Sequence, residues 1–140
     1  MYLQYLVLFF YVSQVYLVEI PELWLDPASL YCIKQHSIET SVLSTILDDN
    51  YLVTDDVEDL YPLYECAYKE HKFLNEKNEF DEKLIVEIET KLIPFIKPDV
   101  KDAPETSKKV FEKCRNLEDE KLGKRIIKFY NCLVTGIKEN

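Results

Sequence analysis

Residues 114–132, CRNLEDEKLGKRIIKFYNC, open and close on a cysteine and hold none between. The first half is charged. The second half starts a run of Leu122, Ile126, Phe129, Tyr130, Leu133 and Ile137 at spacings of three and four. That period collects apolar side chains on one face of an α-helix. The segment therefore predicts the junction of two helices with a cysteine at either end, and a fold class that is all-α.

The same period recurs upstream. Asp26-Pro27 opens a first helix, DPASLYCIKQH, which carries Cys32. A second is expected from about Ile38 to Leu47, where Val42, Leu43, Ile46 and Leu47 share a face. Asp55-Asp56 would open a third, DDVEDLYPLYECAYKEH, with acidic residues at the positive end of the helix dipole. Pro62 should kink this helix or delay its start. FLNEKNEFD reads as a turn. A fourth helix starts at Asp81 with Leu84, Ile85, Ile88 and Leu92, and should break at IPFIKPDV, where Pro94 and Pro98 fall. A fifth begins near Ala103-Pro104 and carries Val110, Phe111 and Cys114. With the helix of the opening stretch this makes six.

Composition agrees. The chain has two glycines, Gly123 and Gly136, whereas a small all-β domain needs glycine at its hairpins. Its 140 residues suit one domain. Asp and Glu number 26 against 17 Lys and Arg, a net charge of −9. A nucleic-acid partner is excluded on that balance, because phosphate backbones are bound by Lys/Arg surfaces. Docking on anionic lipid through a basic face is disfavoured for the same reason.

Residues 1–18, MYLQYLVLFFYVSQVYLV, carry no charged side chain. The apolar core predicts a secretory signal peptide, which leaves residues 19–140 as the mature helical domain in an extracellular, disulfide-permissive setting. No Lys or Arg precedes the core and no small-residue pair marks a cleavage point.

The four cysteines, Cys32, Cys66, Cys114 and Cys132, are separated by 33, 47 and 17 residues. Zinc sites draw on close C-x2–4-C pairs, so no metal site is expected; nor is there a C-x-x-C redox pair. Two long-range disulfides remain, with three possible pairings. Catalytic motifs are missing too: no G-x-S-x-G elbow, no Gly-rich phosphate loop and no H-E-x-x-H. The acidic clusters stand at helix starts, where capping explains them. An enzyme is not expected.

Helical stretches carrying Cys32, Cys66, Cys114 and Cys132 in this order resemble the insect odorant-binding proteins, the pheromone and general odorant-binding family. That family usually has six cysteines. Here Pro62 stands four before Cys66 and Gly123 nine before Cys132, so both members of the middle disulfide are missing together, as in the four-cysteine "minus-C" branch. CAYKEHKFLNEKNEFDEKL is similar to the family's run after its third cysteine, and the resemblance covers about residues 22–138. It implies six short helices around an apolar cavity, with Cys32 bonded to Cys66 and Cys114 to Cys132. It also implies that the third and fifth helices, without the middle crosslink, move more freely and let the cavity open more easily.

The function implied is a secreted carrier of small hydrophobic molecules, odorants, pheromones or lipid-like compounds, working in chemosensory fluid or elsewhere. No cofactor is implied; the partners would be the ligand and a membrane receptor downstream, with the carrier a monomer or weak homodimer. The alternatives are a salivary-type scavenger of biogenic amines or lipid mediators, which would need a polar or acidic contact in the pocket, and an interaction protein with a filled core and no ligand. Candidate cavity residues are Leu43, Ile46, Leu47, Leu60, Tyr64, Tyr68, Ile85, Ile88, Leu92, Phe111, Phe129, Tyr130 and Leu133. By spacing alone they are equally ordinary core residues. Tyr64, Tyr68 and Tyr130 would add hydroxyls for a ligand carbonyl or alcohol. His36 and His71 are expected as solvated helix-end residues rather than pH sensors.

Overall fold

The structure, a computed structural model, describes residues 25–54 and 58–140. The expected signal segment, residues 1–18, and the Asp55-Asp56 helix start lie outside the described residues. Six α-helices are found among the latter: α1 (Pro27–Gln35), α2 (Thr40–Ile46), α3 (Tyr61–Glu70), α4 (Glu82–Ile96), α5 (Ala103–Cys114) and α6 (Leu122–Glu139). A 3-10 turn, Glu58–Leu60, leads into α3. Among these residues there is no extended sheet, only two isolated bridges, Leu47 to Val53 and Leu74 to Phe80. The fold is all-α.

Local chemistry sets the boundaries. Asp26, Asp81 and Asp102 cap α1, α4 and α5, each carboxylate accepting a first-turn N–H at 2.8, 2.9 and 3.0 Å respectively. Pro62 sits in the first turn of α3, where its missing N–H costs nothing; it delays the helix rather than kinking it. α2 starts two residues later than its apolar spacing suggested, because Ile38 is occupied in closing α1. Ser37 turns left-handed, with φ 54°, and the Ile38 N–H bonds the Ile33 carbonyl at 2.9 Å.

The expected break at Pro94 is not there: α4 runs through it to Ile96. The ring removes one backbone donor, yet the Lys97 N–H still reaches the Ile93 carbonyl at 2.8 Å, and Ile93 is buried. The helix ends at Lys97, the residue before Pro98, which disfavours the helical conformation there.

The chain packs as two apolar clusters joined by α6. The first gathers Cys32, Ile33, Ile46, Leu47, Val53, Leu60 and Leu63 with Ile127 of α6. The second holds Ile85, Ile93, Val110, Phe111 and Cys114 with Phe129, Leu133 and Ile137 of α6. Each cluster has its own disulfide. Cys32–Cys66 ties α1 to α3 and Cys114–Cys132 ties the end of α5 to α6, with Cα atoms 5.8 Å apart in both. These are the pairings the resemblance implied.

Gly123 and Pro62, where the six-cysteine pattern would place a crosslink, fall at the meeting of α3 and α6 rather than of a third and a fifth helix. A Cβ on Gly123 would stand 2.3 Å from Cβ of Tyr61, the neighbour of Pro62. The first turn of α6 has no side-chain cap of its own; the Gly123 N–H instead donates to Glu65 Oε1 of α3 at 3.0 Å. Close backbone approach and a borrowed cap stand where a disulfide could have been.

Candidate functional site

Between the two clusters lies a cavity of about 200 Å³. α1 contributes Ser29 and Ile33 to its wall; α2 and the loop after it give Leu43, Ile46, Leu47 and Val53. α3 adds Leu63, Tyr64, Ala67 and Tyr68, followed by His71 and Phe73; α4 adds Ile88, Glu89, Leu92 and Ile96; α6 adds Tyr130, Leu133, Val134 and Ile137. No α5 residue lines it.

The wall is fixed from behind. The loop bearing Val53 is held on α6 by Asn131, whose Oδ1 accepts the Val53 N–H at 2.8 Å while its Nδ2 donates to the Val53 carbonyl at 3.0 Å. Tyr130 Oη donates to the Tyr51 carbonyl at 2.7 Å, and Asp48 Oδ1 accepts the N–H groups of Asn50 and Leu52. Arg125 lies over the Phe80 ring, 4.6 Å from its centre. It donates to the carbonyls of Leu117 and Asn78, locking the turn before α4 onto α6.

Nine of the thirteen candidate residues stand on this wall: Leu43, Ile46, Leu47, Tyr64, Tyr68, Ile88, Leu92, Tyr130 and Leu133. Four do not. Leu60 packs in the first cluster, and Ile85, Phe111 and Phe129 in the second. Phe129 is stacked on Phe80 at 3.8 Å and meets the Phe111 edge at 5.9 Å, so these rings pack on one another. Helical periodicity marks the buried face but does not divide it between packed core and open wall.

The tyrosines differ from one another. Tyr130 spends its hydroxyl on the Tyr51 backbone, while those of Tyr64 and Tyr68 make no hydrogen bond among the described residues. Burial pushes all three phenols above their ordinary range, so they stay neutral donors. His36 is an exposed helix cap as expected. His71 is not a solvated end residue. Its Nε2 lies 3.1 Å from Asp26 Oδ2 and 3.2 Å from Ser29 Oγ, and its ring stacks on Phe73 at 4.9 Å, at the border of the cavity.

Eleven of the described wall residues lie outside the candidate set, and Glu89 is the one carboxylate among them. It is 3 % exposed, and neither carboxyl oxygen has a hydrogen-bond partner among the described residues. Burial pushes its carboxyl up to about 8. The signal was present in the sequence: Ile85, Glu89 and Ile93 form an i, i+4, i+8 row, and a carboxylate interrupts an otherwise aliphatic face.

A set of helices around an apolar cavity, held by two disulfides, has the form of a small-molecule binding protein. Residues 24–135 match the PBP/GOBP family, and the chain belongs to it. This is the insect odorant-binding protein family, whose members are carriers of small hydrophobic ligands; four cysteines in two disulfides fit its minus-C type. Comparison with curated proteins and with solved structures gave no match. Among the described residues no helix is long and apolar enough to cross a membrane, and no three His, Cys, Asp or Glu side chains cluster as a metal site.

Proposed function

We propose that this chain is a secreted carrier that takes odorants, pheromones or lipid-like molecules into the internal cavity. The observation that carries this is the wall itself: aliphatic and aromatic side chains from five helices converge on one space of about 200 Å³. A small apolar molecule entering it removes apolar surface from water on both sides, worth roughly 25 cal/mol per Å². Residues 1–18 act as the export signal, removed before the mature domain folds around its two disulfides.

Native mass spectrometry of the protein purified from its source tests the carrier function. A retained small apolar ligand is the expected result, and titration of the emptied protein with that ligand should raise its melting temperature. Failure of every apolar compound to shift melting would refute it. N-terminal sequencing of the secreted chain would show whether the first residues are removed.

A further inference from the structure

Glu89 is a carboxylic acid in a wall of aliphatic and aromatic side chains. The polar groups that share the wall are the hydroxyls of Tyr64 and Tyr68 on α3, Tyr130 on α6, Ser29 on α1, and His71 after α3. His71 is engaged with Asp26 and Ser29. Among the described residues no Lys or Arg lines the cavity. A lone buried carboxylate is so costly that the group keeps its proton instead, which is the direction burial imposes here, up to about 8. A neutral carboxyl has one O–H donor and one carbonyl acceptor, and neither has a partner among the described residues.

Three ligand head groups could answer this. A carboxylate would meet no cation and an acidic neighbour. An ammonium would first have to draw the proton from Glu89, and a buried ion pair only about breaks even against the desolvation of both charges. An uncharged oxygen requires no charge to be buried and satisfies the O–H donor, the group least tolerable unpaired. The third head group is favoured.

We propose that Glu89 is the specificity-determining residue of the cavity. As a neutral acid it donates a hydrogen bond to the oxygen of an uncharged apolar ligand (a ketone, aldehyde or ester) and it disfavours the corresponding carboxylate. This rests on the carrier function proposed above. At interior packing density a cavity of about 200 Å³ holds on the order of ten non-hydrogen atoms, which sets the ligand size.

Calorimetric titration of the full chain with methyl hexyl ketone, octanoate, octylamine and propylbenzene tests it. The wild type should bind the ketone about tenfold tighter than octanoate. Its ketone affinity should be level up to about pH 7 and fall about tenfold by about pH 9, as the donor ionises through about 8. Glu89→Gln keeps an N–H donor and should bind the ketone without that fall; the same fall persisting in Glu89→Gln would overturn the assignment. Glu89→Leu should lose about tenfold for the ketone yet hold propylbenzene.

Propylbenzene binding with a ketone affinity indifferent to pH and to Glu89→Leu would overturn the Glu89 assignment and leave the carrier function standing. Octylamine binding tightest, with affinity climbing toward about pH 9, would overturn it in favour of an ionised counter-ion. No binding of any of the four would refute the carrier function itself, and the assignment with it.

Discussion

Replacing Gly123 with alanine tests whether the α3–α6 contact depends on the missing side chain. The backbone of Gly123 is not left-handed, so alanine is conformationally acceptable and should gain up to about 1 kcal/mol of helix propensity. The space is not available. The new Cβ would lie 2.3 Å from Tyr61 Cβ, 2.7 Å from its Cγ and 2.8 Å from its Cα. The obstacle includes backbone, so a rotamer change cannot relieve it; the two helices must separate by about 1 Å to restore ordinary contact, at an overpacking cost of roughly 1–3 kcal/mol. That separation also breaks the bond from the Gly123 N–H to Glu65, which removes about another 1 kcal/mol. The net expectation is a loss of about 1–3 kcal/mol, read as a lower urea midpoint at unchanged slope with both disulfides intact. Gly136→Ala is the internal comparison. There the nearest atom, at 2.6 Å, is a methyl of the Val110 side chain, and a smaller loss is expected. A midpoint for Gly123→Ala equal to or above wild type would refute the packing argument.

Stability should also respond to pH through Glu89. Its folded pKa is raised from 4.5 to about 8, so the folded state holds a proton the unfolded chain has released. Stability should fall between about pH 5 and about pH 8 by on the order of 1.4 kcal/mol per pH unit relative to Glu89→Gln, and parallel profiles would contradict this. Replacing Cys114 and Cys132 together by serine opens a loop with a separation of 18 residues and should cost about 3 kcal/mol in chemical denaturation. Asn131→Ala removes both bonds to Val53 and should cost about 1–3 kcal/mol, with faster amide exchange at Val53 as the local readout.

Much of this architecture is legible in residue order because local chemistry fixes it. Asp26, Asp81 and Asp102 mark helix starts by capping, and the spacing in α6 marks its buried face. Where the structure departs, a tertiary contact decides. Burial of Ile93 carries α4 through Pro94, and Ile38 is diverted into the closure of α1. The cavity wall is harder to read, since Phe111 and Phe129 have the same periodicity as Leu92 and Leu133. Only the stacking of Phe80 on Phe129 takes them to the packed side. Glu89 is the opposite case. Its row position betrays a buried carboxyl, but nothing in the sequence states that no donor faces it.

The position of the disulfides relative to the cavity gives the absent third crosslink a mechanical meaning. Cys32–Cys66 lies within the cluster built on α1 to α3, and Cys114–Cys132 within the cluster of α4 to α6. Neither bond spans the space between them, where the wall residues Ile33, Ile46 and Leu63 of one cluster face Leu133 and Ile137 of the other. What joins the two stapled units is α6, which places Ile127 in the first cluster and Phe129 in the second, together with the contacts of Gly123 with Tyr61 and Glu65. Tyr130 and Asn131 add bonds to Tyr51 and Val53 in the middle of α6, and Lys138 one to Asn50 near its C-terminal end, so these noncovalent links run along the helix. Any separation of the two crosslinked units would have to break these contacts along the shared helix. A bond across Pro62 and Gly123 would have opposed that separation directly. Glycine at 123 instead lets the two helices come near enough for the Gly123 N–H to reach Glu65.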